Sequence, residues 1–456
     1  MQRSWRPAAI ALAVLLVACP AVLAASPSPG AHAGPSARPV DLSSPAAELR
    51  VDLDRLLAEH AFLTIEQMRS GLLGAPDFAA AATAVEANST EIAAAIGSIY
   101  GDAAEEPFGE IWRSHIAYLV DYAISLRTGD TAGRDAALDG LAIYRGEIKS
   151  FLGDANPGID LAEIAEALDM HTAQLIEFIN MTHEGDHAAA YRLERHAYPH
   201  MFEIGDALAR LIANRFPDRF PGVRVAYSAA GTLRVTLDRL LAEHAFLAAE
   251  AMRAGLTEAP DFSAAAAAID GNSAELEGVV QAAYGKAAAA QFRDLWDAHI
   301  RAYVSYIDAT RADDSSARAQ ATSQVNAYAA QLATFLAGAN PHLDAAALAS
   351  LFQDHAGHLT GQVEAYAASD YERTYELVRT GYSHMFMAGE ALALGIATHL
   401  PELFPADAAA PDTATLPHRH GLPIEAAVVV IVLGLAALWA LLLRSSRSAR
   451  GRPLQG

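Results

Sequence analysis

The sequence predicts an all-α chain: two tandem antiparallel helical bundles of about six helices each, arising from an internal duplication, followed by a C-terminal transmembrane helix. Three observations carry this. Shifted by 184 positions the chain reads itself again, Leu49–Leu208 aligning on Leu233–Leu392 with no insertion or deletion. Apolar residues recur at helical spacing throughout, and no run shows sustained period-two alternation, so no sheet is expected. Leu422–Leu443 is apolar except for Glu425, and a helix of about 20 such residues spans a hydrocarbon core.

The two ends predict the compartment. Arg3 and Arg6, the apolar run from Pro7 to Ala18 and small residues ending at Ala24 match a secretory signal peptide over residues 1–24. The stretch Leu16-Val17-Ala18-Cys19 also resembles a bacterial lipobox, though Pro20 argues for an ordinary signal. At the other end Arg444, Arg447, Arg450 and Arg452 follow the apolar helix and are expected on the cytoplasmic side. The expected location is therefore the cell membrane, single-pass, with an extracytoplasmic N-terminal ectodomain.

Between the ends, residues 25–42 read as a flexible leader rich in Pro, Ser, Gly and Ala. Residues 43–215 form the first repeat, 216–229 a linker with Pro217 and Pro221, and 230–405 the second repeat. Residues 406–421 form a stalk, 422–443 the membrane helix and 444–456 a basic cytoplasmic tail. Net charge is −22 and the isoelectric point about 5.1, which argues against nucleic acid or anionic lipid as the main partner. Cys19 is the one cysteine and lies in the signal, so no disulfide and no thiolate ligand is expected in the mature ectodomain.

In the first repeat, Leu53, Leu56, Leu57, His60 and Leu63 give the stripe of an amphipathic helix that breaks at Pro76-Asp77. A second helix is expected over about 77–100, stopping at Gly101. The others span about 107–127, 131–152, 160–182 and 186–214. Asn156-Pro157, repeated as Asn340-Pro341, separates helices four and five.

Four histidines survive the copying: His60 falls on His244, His115 on His299, His171 on His355 and His200 on His384. Each sits near the middle of a different helix, on the face that carries the leucines and aromatics. Midpoints of antiparallel helices share one depth, so four rings are expected to converge in each core. Helix five is the sharpest case. Its two copies keep few residues in common, yet His171 and His355 are among them, whereas His183, His187 and His196 become Ala, Tyr and Thr. Buried imidazoles need partners for both nitrogens. Such a set is either a metal or haem site or a structural polar core.

What is missing narrows the chemistry. No shared histidine follows a glutamate at Glu-x-x-His spacing, and His-Glu-x-x-His is absent, which disfavours carboxylate-bridged di-iron and zinc-peptidase sites. An all-imidazole site suits copper, zinc or iron, the last bare or in haem. Glu59 and Glu66, repeated as Glu243 and Glu250, stand well around the helix from the histidine and read as a solvated face or outer-shell groups. Met68 with Met252, and Met201 with Met385, read as core filling. The copies also differ: only the second offers His358 after His355 and Met387 after His384. No phosphate loop, nucleophile elbow or triad spacing is visible, and no turnover is expected.

The segments from Leu49 to His60 and from Tyr382 to Gly389 resemble a helical repeat of uncharacterised secreted and surface proteins of bacteria, some of which carry the name copper amine oxidase. The resemblance covers both repeats and implies a helical, surface-located protein. It does not imply that activity here, because the Asn-Tyr-Asp/Glu core from which the quinone cofactor forms is absent. The leading expectation is capture, buffering or sensing of copper or zinc through His60, His115, His171 and His200 and their counterparts. A non-catalytic surface module is the alternative, and haem held by paired histidines the third option.

Overall fold

The computed structural model describes residues 40–158 and 161–405. The expected signal, stalk, membrane helix and basic tail lie outside the described residues. Among those described there are thirteen α-helices and no strand, and no helix is long and apolar enough to cross a membrane.

The first six helices are α1 (Pro45–Leu73), α2 (Phe78–Tyr100), α3 (Asp102–Thr128), α4 (Thr131–Ala155), α5 (Ala162–Glu184) and α6 (His187–Arg215). A single turn, α7 (Val223–Ala226), leads to α8 (Ala229–Thr257), α9 (Phe262–Tyr284), α10 (Lys286–Arg311), α11 (Ser315–Ala339), α12 (Ala345–Ala367) and α13 (Tyr371–His399). The bounds of α1 to α6 recur in α8 to α13 at an offset of 184, to within one residue. Local chemistry explains them. Ser44 caps α1 by accepting from the Ala47 amide at 3.1 Å, with Pro45 in the first turn, and Ser228 does the same for α8 at Gly231. Gly74 ends α1 in the left-handed region, whereas the same place after α8 is taken by Glu258 at φ 51°. α3 starts at Asp102 rather than at Pro107, which stands inside the helix at its sixth residue and forgoes the amide bond back to Ala103. The Asn-Pro turns are tied down from within: Tyr100 Oη donates to Asn156 Oδ1 at 3.2 Å, and Asn340 Nδ2 to Tyr284 Oη at 2.9 Å.

The two sets of six share one compact unit. In each, the first helix packs along the last, α1 on α6 and α8 on α13. Gly205 and Gly389 permit that approach: a Cβ on Gly389 would collide with Asp238 Oδ1 and lie 2.8 Å from the Asp238 nitrogen. The sets then meet through corresponding residues. Phe62 stacks on Phe246 with centroids 3.7 Å apart and planes 8° from parallel, and Phe202 lies parallel to Phe386. Arg50 donates to the Ala226 carbonyl, and its counterpart Arg234 to the Leu42 carbonyl. Such reciprocal pairing is the signature of a local two-fold.

This contact corrects one expectation. Glu59, Glu66, Glu243 and Glu250 are not on a solvated face but buried. Glu59 accepts from Asn88 and from Arg379 on α13, and Glu243 from Asn272 and from Arg195 on α6. Glu66 holds Arg69 through two bonds of 3.0 and 2.8 Å, and Tyr375 of the other set reaches it at 3.3 Å. α1 and α8 are therefore buried nearly all round, one side toward their own bundle and the other toward the partner bundle.

Candidate metal centre

The inner side of α1 carries His60, fully buried between Leu56, Leu57 and Leu63. α3 brings His115 against it, their Nε2 atoms 3.1 Å apart. α5 adds His171, with its ring centroid 5.7 Å from that of His60. One nitrogen from each of the three lies within 4.8 Å of the others, the one such group among the described residues. Two nitrogens on a tetrahedral ion, each about 2.0–2.1 Å from it, sit about 3.3 Å apart, so the His60–His115 pair is already at ligand spacing.

Aromatic side chains wall the group. Trp112 lies 4.6 Å from His60 and 4.8 Å from His115, and Tyr144 stacks on His115 at 4.6 Å. The sequence puts Trp112 on the helix face of His115, whereas the stacking of Tyr144 on that ring depends on how α4 packs against α3. His60 Nδ1 has Thr64 Oγ1 at 3.4 Å. Neither nitrogen of His171 has a partner, although the ring is only 3% exposed. Leaving buried polar atoms unpaired costs about 1–3 kcal/mol each.

Electrostatics keep the rings neutral. Burial pushes His115 down to about 3, against a weaker opposing pull from the Trp112 carbonyl. Burial and then the neighbouring His115 and His200 take His171 to about 3. His60 is lowered well below the usual histidine value by burial, and further by His115 and His171. A neutral imidazole with a free lone pair is the form that binds a metal.

The second set repeats the arrangement more loosely, without bringing a nitrogen from each of its three histidines within 4.8 Å of the others. His244 and His299 face each other at 3.3 Å through Nε2, and His355 lies 5.8 Å from His244 by ring centroid. Trp296 and Tyr328 take the places of Trp112 and Tyr144. Ala248 replaces Thr64, so His244 Nδ1 has no partner. His355 is part-exposed, unlike His171.

The fourth histidine of each set stands apart. His200 Nε2 donates to the Ala167 carbonyl at 2.9 Å, and its Nδ1 meets Glu203 at 3.1 Å. Burial lowers its pKa, but Glu203 and that carbonyl outweigh burial and the net shift is upward. His384 Nε2 donates to the Leu351 carbonyl at 2.8 Å. Equal depth in the bundle brought four rings to one level, but in the first set only three converge on one point, and in the second His299 and His355 each lie beside His244. Met68, Met201, Met252 and Met385 are buried in the core, as expected, while His183 and His196 are exposed.

Comparison with protein-family models, with curated proteins and with solved structures finds no match for this chain.

Proposed function

We propose that the chain is a membrane-anchored extracytoplasmic protein that holds one copper or zinc ion in each helical bundle, for capture, buffering or sensing of the metal. His60, His115 and His171 are the ligands in the first bundle, and His244, His299 and His355 in the second. His200 and His384 take the outer position, bonding backbone and orienting the helix next to each site. The two sets descend from one duplicated bundle.

The observation that carries this reading is His171, buried with both nitrogens unpartnered beside a pair of imidazoles at ligand spacing. A core selected only for packing would place a leucine there. Three imidazoles without a carboxylate or thiolate suit copper and zinc, and the aromatic walls exclude water. Haem fits less well. Axial nitrogens on one iron lie on the order of 4 Å apart with the porphyrin between them, whereas His60 and His115 face directly at 3.1 Å.

A non-catalytic surface module with a structural polar core is the second reading, favoured by the same 3.1 Å spacing, since one N–H···N bond would satisfy it. Metal analysis of the full chain, purified without a histidine tag, separates the two. At least two copper or zinc ions per chain supports the metal sites. A Soret band points to haem, and no metal after loading with either ion leaves the structural core.

A further inference from the structure

Between the two sets lies a cleft of about 830 Å³ whose walls include Arg55 and Glu59 of α1 on one side and α12 with α13 on the other. Asp354 and His358 line it one turn apart on α12, and His384 and Met387 one turn apart on α13. The rings of His358 and His384 are 5.3 Å apart, edge to face. Met387 is 60% exposed, more than Met170 at 44%, whereas Met68, Met201, Met252 and Met385 are buried. Gly381 makes the approach possible, for a Cβ there would lie 3.3 Å from that of His358.

We propose that this cleft is a second, solvent-facing copper site, with His358, His384 and Met387 as ligands and Asp354 beside them, which passes the ion inward to His355. The inference rests on the buried-triad reading for its destination. Thioether and imidazole together favour Cu(I). His384 already donates Nε2–H to a backbone carbonyl, the outer-shell bond that fixes the tautomer and leaves Nδ1 for an ion. His355 lies one turn before His358 and is part-exposed. Histidines thus run from the cleft to the second triad. The first set has no counterpart: Gln174 stands where His358 does, Glu203 stands where Met387 does and bonds His200, and His171 is buried.

The test uses the full chain titrated with Cu(I) under ascorbate, alongside H358Q/M387E, which installs the residues of the first set at two surface positions. Three ions per wild-type chain and two in the variant are expected, with filling of the second triad slowed at least tenfold. With both triads broken by H171A/H355A, one weaker ion should remain and disappear when H358Q/M387E is added. Equal stoichiometry and equal filling rates in wild type and H358Q/M387E would overturn the proposal. Copper lost from H171A/H355A but untouched by H358Q/M387E keeps the triads and removes the cleft. Copper sensitive only to H358Q/M387E removes the triads and with them the hand-over. No copper in any variant removes both.

Discussion

Arg379 on α13 donates Nε and Nη2 to the two carboxylate oxygens of Glu59 on α1, at 3.0 and 3.2 Å, one residue before the histidine of the first triad. The same helix therefore faces its own bundle with His60 and the other bundle with Glu59. Glu59 is almost fully buried while Arg379 is 20% exposed, so losing the arginine strands a charge whose remaining partner there is Asn88.

Arg379→Leu should accordingly destabilise the chain by about 2–3 kcal/mol, less than a fully buried pair because the guanidinium is partly solvated. Adding Glu59→Gln should recover part of that loss, since the stranded charge is then gone. Urea unfolding of the two single variants and the double variant measures the coupling. Strictly additive costs would show that the pair does not hold the bundles together.

His171 is the residue on which the two readings of the core part company. Replacing it and His355 by leucine removes orphaned nitrogens, so the metal-free chain should be as stable as wild type or gain about 1–2 kcal/mol. Metal should then add nothing, whereas wild type should gain about 2.7 kcal/mol per site at a hundred times the dissociation constant. Melting curves with copper, with zinc and with chelator make the comparison. A double variant destabilised equally in all three would mean that the rings serve packing alone.

The helices and most of their ends were legible because their causes are local: leucine stripes, the Pro76-Asp77 break, the Gly101 stop and the Asn-Pro turn all lie within a few residues of what they determine. The histidine triad was legible because two copies of one pattern separate kept residues from drifting ones. Three things were not. The bonds of His200 and His384 to carbonyls on the neighbouring helix depend on how α5 and α6, or α12 and α13, are rotated against each other, which periodicity leaves open. The acids on α1 and α8 read as solvated because their partners, Arg379 and Arg195, lie far away in sequence. The cleft at His358 and Met387 was visible only as a difference between copies, without the geometry that gives it meaning.

Copy two also carries a cost that copy one avoids. Gly74 and Gly185 end α1 and α5 in the left-handed region, but Glu258 at φ 51° and Ser369 at φ 62° occupy the same places after α8 and α12. Residues with a Cβ lose about 1 kcal/mol there. Glu258→Gly with Ser369→Gly should raise stability by about 1 kcal/mol together, after the greater entropy of glycine in the unfolded chain is subtracted. An unchanged or lowered melting temperature would show that the two side chains make compensating contacts.

The last expectation concerns pH and comes from an asymmetry between the sets. Glu66 is held by Arg69 and Arg253, and its pKa is lowered despite burial, which acts against the shift. Its counterpart Glu250 has no such clasp and lies against Glu194, where the first set's arrangement has Val378 at the matching position. Burial raises Glu194 to about 8, with Glu66 and Glu243 adding to it and a bond to Glu250 opposing. Glu250 is raised well above the usual range by burial and by Glu194. A carboxyl whose folded value is raised binds its proton more tightly in the native state. Its stabilising contribution is therefore complete below the ordinary glutamate value of about 4.5 and is lost as pH rises through about 8. Across that window stability should fall by up to about 1.4 kcal/mol per pH unit from Glu194, and that contribution then levels off. Glu194→Gln keeps the hydrogen bond to Glu250 without the titrating proton, so it should flatten the fall and leave the variant more stable than wild type at pH 8. Denaturant midpoints at several pH values between 4.5 and 9 measure it, and parallel curves for wild type and variant would show that Glu194 keeps its charge in the fold.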